Sequence, residues 1–482
     1  MSRPSIHEAC TKIVATVGPA CSGVDRLSAM IEAGVDVFRI NTAHGSRQEH
    51  AQVLADIREA SQRVGFHAAV LLDLAGPKIR LGTLVTDPMR CSIGQRVSLI
   101  RGDVSTVANE LTSSYERLVD ELEPGDQVML ADAAVGLRVE SVTSDRAECV
   151  VVAEGTIRSR QGINLPGVKL SVSALLPDDI DNAIWAAQNG IDLVSLSFVR
   201  SAEDVLGLKR LLAEHQSQAI VIAKIEKPEA MENLEEIVDA TDGVMVARGD
   251  LGVEIDVAET PVAQKRIIRV CKQRATPVIV ATQMLESMHH SARPTRAEVS
   301  DVANAILDGA DACMLSGETA IGEYPIESVR MMNRIMRATE RDMLRSRNRA
   351  AGRQRQIDTH RVHPITTAVT VAATEIAESI QAKLIVIATR SGNTAWVESQ
   401  SRSLIPTLGA SDSIETLRRM NLLWGIKPVY VNRLDETSTL IDVVCQWGRD
   451  HGGLKRGDHI VLVTGTGVIK KAHNLVVVHT VP

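Results

Sequence analysis

A lysine and a glutamate two residues apart, Lys224 and Glu226, end one short apolar run, and an aspartate, Asp250, ends the next. Two carboxylates on neighbouring strand ends suit Mg2+ or Mn2+, hard ions that take a few protein oxygens and leave positions open for water and substrate. Residues alternate sides along a strand, so Lys224 and Glu226 share a face while Ile225 points away from it. An ammonium beside a metal can stabilise the charge that develops on a phosphoryl group and on an enolate oxygen as a P–O bond breaks. A buried ion pair between Lys224 and Glu226 and a Schiff-base lysine are the rival readings. A metal-bound carboxylate two residues away favours the electrostatic role over the Schiff base.

Other reactive groups stand at the ends of similar runs: Arg39 and Asn41, Asp73, Arg248 with Asp250, Thr282 and Gln283, and Ser316 with Glu318. The runs are KIVATVG (12–18), VDVFRIN (35–41), AAVLLDL (68–74), DLVSLSF (192–198), AIVIAKIE (219–226), GVMVARGD (243–250), PVIVATQ (277–283) and ACMLSGE (312–318). Helical segments with readable ends separate most of them. Pro228 suits a first turn, and Thr295 and Glu298 have capping-box spacing, followed by an apolar face of Val299, Val302, Ala303 and Ile306 and a stop at Gly309. Eight such units predict a closed (β/α)8 barrel, whose active site lies where the C-terminal ends of the strands meet. The reactive residues cluster at those ends.

The third unit is interrupted. Between Gly76-Pro77 and Leu165-Pro166-Gly167 lie the runs VSLI, QVML, LRVESV and ECVVVAEG, with a turn at Glu123-Pro124-Gly125-Asp126. They predict an inserted antiparallel β-barrel that leaves and re-enters at the rim and acts as a lid. The expected division is 1–82 and 167–342 for the barrel, 83–166 for the cap, an arginine-rich linker at 343–362, and a C-terminal α/β domain at 363–482 built on KLIVIATR, HIVLVTGT and LVVVHTV.

Bulk composition narrows the function classes. A chain of 482 residues with 44% hydrophobic and 23% charged residues folds as several domains, and with only 2% aromatics its cores rest on Val, Ile, Leu, Ala and Met. The net charge of −7 gives no electrostatic case for nucleic acid or an anionic membrane. No aromatics interleave the arginines after residue 340, so a solvated linker or a subunit contact suits them better than a nucleic-acid tail. Cys10, Cys21, Cys91, Cys149, Cys271, Cys313 and Cys445 are scattered without metal-ligand spacing, which predicts reduced thiols. With no signal-like or membrane-length apolar run, a cytoplasmic location is expected. No Gly-x-x-x-x-Gly-Lys-[Ser/Thr] loop is present, and Gly465-Thr466-Gly467 carries little weight. The residues alone therefore describe a metal-assisted barrel enzyme acting on a small anion.

The blocks TKIVATVGPA, FRINTAHG, DLAGPKIR, GINLPG, AKIEKPEA, DGVMVARGDLGVEI, ATQMLESM and RPTRAEVSDVANAILDGADACMLSGETA follow, in order, those of the pyruvate kinases, which the chain resembles over essentially its whole length. The resemblance implies phosphoenolpyruvate and ADP going to pyruvate and ATP, a divalent metal, an effector-binding C-terminal domain and a homotetramer. It makes Glu226 and Asp250 the metal ligands, Lys224 the stabiliser of the phosphoryl group in transfer, and Arg39 a phosphate contact. Arg248, Gly249, Asp250, Thr282 and Gln283 then surround the substrate, with Ser316 and Glu318 helping Thr282 to protonate the enolate. Asn41, His44, Arg80 and Arg160 match the nucleotide side, although Arg160-Gln161 stands where the family often has two lysines.

The family's K+ region falls on Asn41, Asp73, Leu74 and Lys78, and here the chain departs from the pattern. Asn41-Thr42-Ala43 lacks a serine, and Lys78 replaces the glutamate of potassium-dependent members. The expectation is that the Lys78 ammonium substitutes for K+. Thr389-Arg390-Ser391-Gly392-Asn393-Thr394 resembles the family's sugar-phosphate loop, with a sugar phosphate or AMP as the expected effector, although GTGVIKKAHN lacks the residues of fructose bisphosphate sites. Two other functions fit parts of the pattern: a Mg2+-dependent pyruvate-enolate lyase or aldolase on the same barrel, and a non-catalytic effector-binding homologue.

Overall fold

The computed structural model describes residues 9–102, 104–131, 133–168, 170–347, 362–434, 437–464 and 474–482. Each of the eight apolar runs forms a barrel strand: β1 Lys12–Thr16, β2 Val37–Asn41, β3 Ala69–Asp73, β4 Leu193–Leu196, β5 Ile220–Ile225, β6 Gly243–Ala247, β7 Val278–Ala281 and β8 Ala312–Leu315. They pair in parallel, in chain order, and β8 closes on β1. The physical reason is in the alternation. Ile220 and Ile222 of β5 join Val14, Leu71, Leu193, Met245, Ile279 and Met314 in the axial core, while Val221, Ala223 and Ile225 pack outward against the helices. Above Ile222 the inward positions turn polar, and the cavity of the site begins there.

The helix signals hold. Thr295 and Glu298 form a reciprocal capping box on Arg296–Asp308, and Gly309 ends that helix with φ 111°. Pro228 occupies the first turn of Pro228–Glu232.

Between β3 and β4 the chain builds a six-stranded sheet and a two-stranded sheet around one core that includes Val97, Leu99, Val128, Leu130, Leu137 and Cys149. All their described pairings are antiparallel except Arg96–Ile100 with Glu110–Leu111. The long helix Pro325–Arg347 runs on into the segment expected to be a linker, and 348–361 lie outside the described residues, as do 465–473.

The C-terminal sheet has the order Ile426–Tyr430, Thr407–Ser411, Leu384–Ala388, His459–Thr464, Leu475–Thr480, with only the last pairing antiparallel. It sits under the N-terminal end of the barrel. Lys12 Nζ donates to the carbonyl of Ile426 at 2.7 Å, Arg418 reaches Asp192 at 2.6 Å, and Trp396 Nε1 donates to the carbonyl of Ala275 at 2.7 Å. Leu422, fully buried, belongs to the cluster that fills the barrel axis. All seven cysteines are free; Cys10 is half-buried and the others are buried. No described helix is long and apolar enough to cross a membrane.

Candidate active site

The inward polar positions at the top of β2 to β5 converge on Asp73. Arg39 donates to its Oδ2 through Nε at 2.8 Å and through a second guanidinium nitrogen, and Ser195 donates to its Oδ1 at 2.6 Å. Lys224 Nζ lies 3.4 Å from Asp73 Oδ1 and 2.9 Å from Glu226 Oε1, and it donates to Ser197 Oγ at 2.7 Å. All of these side chains are at least nine-tenths buried or close to it. Burial alone raises the Asp73 carboxyl, but Arg39 and Lys224 outweigh it and hold the group down at about 2. For Lys224, burial works to lower the ammonium, and Asp73, Glu226 and Asp250 overcome it, so the charge is retained well above neutral pH.

Glu226 follows the last residue of β5. Phe198 N donates to its Oε2 at 2.6 Å, whereas the buried Oε1 accepts no hydrogen bond. Burial raises its carboxyl, and the charge of nearby Asp250 adds to the rise against the pull of Lys224. A buried carboxylate oxygen held only by the Lys224 ammonium, with the charge of Asp250 nearby, fits a divalent cation. Asp250 is not at the strand end itself: it lies in the first turn of the helix Arg248–Glu254 that follows β6.

Thr282 and Gln283, directly after β7, have φ 68° and 54°. For a β-branched residue that conformation costs on the order of 1–3 kcal/mol and persists only when its surroundings impose it. Three contacts do so. Gly249 N donates to Thr282 Oγ1 at 2.8 Å, Thr282 Oγ1 donates to the carbonyl of Ala281 at 2.7 Å, and Arg248 donates to the carbonyl of Thr282 at 2.7 Å. Arg248 also pairs with Asp301 at 2.7 Å, so its guanidinium is turned into the helix layer as a brace rather than toward a substrate. Gln283 is exposed.

Glu318 is 1% exposed, and its two oxygens accept from the amides of Ser316, at 2.7 Å, and Leu285, at 3.0 Å. Ser316 Oγ is buried without a partner. A Cβ built on Gly317 would lie 2.2 Å from His289 Cε1, so the imidazole packs on the backbone between this serine and glutamate. Its Nε2, buried and without a hydrogen bond, lies 3.7 Å from Glu286 Oε1.

Beside the charged cluster, a cleft of about 400 Å3 is lined by Thr42, Gly45, His50, Lys78, Arg80 and Asp178, among others. Arg80 donates to the carbonyl of Arg160 at 3.3 Å, and Lys78 Nζ lies 3.7 Å from Asp250 Oδ1. His44 is exposed and offers its carbonyl to His50 Nε2 at 2.7 Å, and it is His50 that faces the cleft. Asn41 Oδ1 accepts from the amide of Ala43 at 3.1 Å, and Leu74 is fully buried in the helix layer.

The loop after Leu384–Ala388 lies at the opposite end of the barrel. Thr389 Oγ1 accepts from Gly392 N at 3.0 Å, Ser391 Oγ accepts from Asn393 N at 3.4 Å, and Arg390 pairs with Asp412 at 3.3 Å. Thr394 lies in the helix Asn393–Ser401 that the loop opens.

The motifs left Ser195, Ser197, the Phe198 amide, Thr16, Lys227 and Glu254 unnamed. Strand alternation could have found the two serines, because they continue the inward face of β4 beyond Leu193 as Lys224 does on β5.

Known proteins share the fold described above. Residues 8–329 match the family model "Pyruvate kinase, barrel domain" and residues 367–479 match "Pyruvate kinase, alpha/beta domain". The pyruvate kinase of Mycobacterium intracellulare is 40% identical over 98% of this chain and 98% of that protein. That of Geobacillus stearothermophilus is 38% identical over 98% of this chain and 80% of its own length. The crystal structure of a pyruvate kinase from Cryptosporidium parvum superposes with a TM-score of 0.89 at 31% identity, covering 99% of this chain and 97% of the other. With both family models matched in sequence, and the barrel, cap and C-terminal sheets arranged as described, the chain belongs to the pyruvate kinase family.

Proposed function

We propose that this protein transfers the phosphoryl group of phosphoenolpyruvate to ADP, giving pyruvate and ATP. The observation that carries the proposal is the position of Lys224, an ammonium kept charged between Asp73 and Glu226 at the mouth of the barrel. Glu226 and Asp250 would hold Mg2+ or Mn2+, and such an ion supplies positive charge to the oxygens of the phosphoryl group and the enolate. Lys224 and Arg39 add fixed positive charge around the phosphoryl group as the bond to the enol oxygen breaks and the bond to ADP forms. Gly249 and the braced Thr282 border the site of the three-carbon acid. Thr282, backed by Ser316 and Glu318, is the proposed route by which the enolate carbon gains its proton. Arg248 acts through Thr282, and Gln283 borders the same edge.

ADP is assigned to the cleft of Lys78, Arg80 and His50, with Asn41, His44 and Arg160 on its rim and the inserted domain as its lid. Lys78 places a tethered monovalent charge beside Asp250, which supports activity without K+. The C-terminal domain and the 389–394 loop are assigned to a phosphorylated effector, a sugar phosphate or AMP, in a homotetramer. The match to a single family over nearly the whole chain does not favour a lyase.

The deciding experiment measures ATP and pyruvate formed from phosphoenolpyruvate and ADP, with Lys224→Met alongside. The variant is expected to lose turnover by about 10³-fold. Pyruvate released from an aldehyde-dependent reaction without nucleotide would sink the proposal.

A further inference from the structure

The cap meets the barrel at a contact that none of the assigned roles uses. Lys227 follows Glu226 and precedes the helix Pro228–Glu232, while Glu254 ends the helix Arg248–Glu254, four residues beyond Asp250. Lys227 Nζ donates to Glu254 Oε1 at 2.7 Å, and the two side chains are 10% and 1% exposed. From the cap side, Asn164 Nδ2 donates to the same Oε1 at 3.4 Å. Glu254 Oε2 is buried and accepts no hydrogen bond. A cavity of about 30 Å3 beside the pair is lined from the cap by Ile163, Asn164 and Leu165 and from the barrel by Phe198, Lys227 and Glu254.

A buried ion pair is a weak source of stability, because removing two charges from water offsets most of their attraction and an apolar pair of equal volume is often as stable. Its geometric effect is specific. One partner is bonded to Glu226 through the chain, and the other rides on the short helix that carries Asp250. The pair is therefore a crosspiece between the two segments bearing the carboxylates. Asn164 adds the cap to it, since its strand, Ile163–Asn164, belongs to the cap sheet and immediately precedes the return of the chain to the barrel.

We infer that Lys227 and Glu254 are positioning residues that set the spacing of Glu226 and Asp250, and that Asn164 makes this spacing respond to the seating of the cap. With the cap seated, Glu254 Oε1 is held from both sides. With the cap lifted, it keeps Lys227 alone and the crosspiece loosens. The inference rests on the reading of Glu226 and Asp250 as ligands of a divalent ion.

The test is Mn2+ binding, read from the free-ion EPR signal, with thermal unfolding of the same samples. Lys227→Met and Glu254→Gln each strand a buried partner and are expected to melt earlier, whereas the double variant K227M/E254Q removes both charges and regains most of the midpoint. That double variant is expected to bind Mn2+ about tenfold or more weakly, in the range that loss of an outer-shell partner costs a metal site. Asn164→Ala, a neutral change at the cap, is expected to weaken Mn2+ by a smaller factor and to raise the KM for Mn2+ more than it changes kcat. Parental Mn2+ affinity in a double variant of parental stability overturns the inference. Should the double variant not fold, parental Mn2+ affinity in Asn164→Ala overturns it instead. Glu226→Gln is the reference: undiminished Mn2+ binding there removes the ligand assignment itself, a failure distinct from that of the crosspiece.

Discussion

The ammonium of Lys78 lies 3.7 Å from Oδ1 of Asp250, at the boundary between the charged cluster and the cleft lined by Arg80. A monovalent cation is thus fixed by the chain beside the carboxylate proposed to hold the divalent ion. Activity in tetramethylammonium buffer free of Na+ and K+ is expected to equal that with added K+. Lys78→Glu is expected to lose about tenfold or more in the K+-free assay, because it replaces an attractive charge near anionic ligands with a repulsive one. Strong K+ activation of the unsubstituted protein would remove the argument.

Arg248 braces the left-handed Thr282 through the carbonyl oxygen at 2.7 Å. A lysine keeps the charge but not the planar fork that serves Asp301 and this carbonyl together. Arg248→Lys is expected to lower kcat by up to about 10²-fold, the scale on which small misplacements of reacting groups act. Steady-state kinetics check this, with exchange of pyruvate methyl protons in D2O isolating the proton step. An unchanged exchange rate would show that Thr282 does not depend on its brace.

Glu398, 2% exposed on the helix that follows the 389–394 loop, has its carboxyl pushed up to about 8 by burial, against the hydrogen bonds of Thr374 and Ser401. A folded pKa above the unfolded one means that the folded state holds its proton longer, so this group's contribution to stability is complete below about pH 4.5 and is lost as pH rises through about 8. Glu398→Gln is expected to raise the unfolding midpoint at pH 8.5 relative to the parent, by the equivalent of a few kcal/mol, and to change it little at pH 5. Equal effects at both pH values would contradict this.

Leu422 closes the floor of the barrel from the C-terminal domain and is fully buried among axial side chains. Leu422→Ala is expected to cost about 2–5 kcal/mol in denaturant unfolding, as cavities in rigid cores do. A loss below about 1 kcal/mol would mean that the two domains are less firmly joined than their packing implies.

The eight barrel strands were legible because nearly every run is apolar inside and ends in reactive groups, a local property of short stretches of chain. Lys224, Glu226 and Ile225 take their faces from strand alternation, which needs no tertiary information. The same rule would have exposed Ser195 and Ser197, whose small hydroxyls gave no chemical signal of their own. Arg248 could not be judged from its neighbours in sequence. Its partner Asp301 is 53 residues away, and only the packing of two helices turned the guanidinium into the helix layer.

By itself, then, the order of residues determined the barrel, the inward face of β5 and the acidic and basic groups at its rim, since these follow from periodicity and from chemical type. The tertiary structure decided which of those groups touch. Long-range packing placed Asp73 between Arg39 and Lys224, set His50 rather than His44 at the cleft, and brought Lys227 to Glu254 under Asn164. The energies that fix such contacts are desolvation and Coulomb terms that depend on the burial of several segments at once, and no single stretch of sequence contains them.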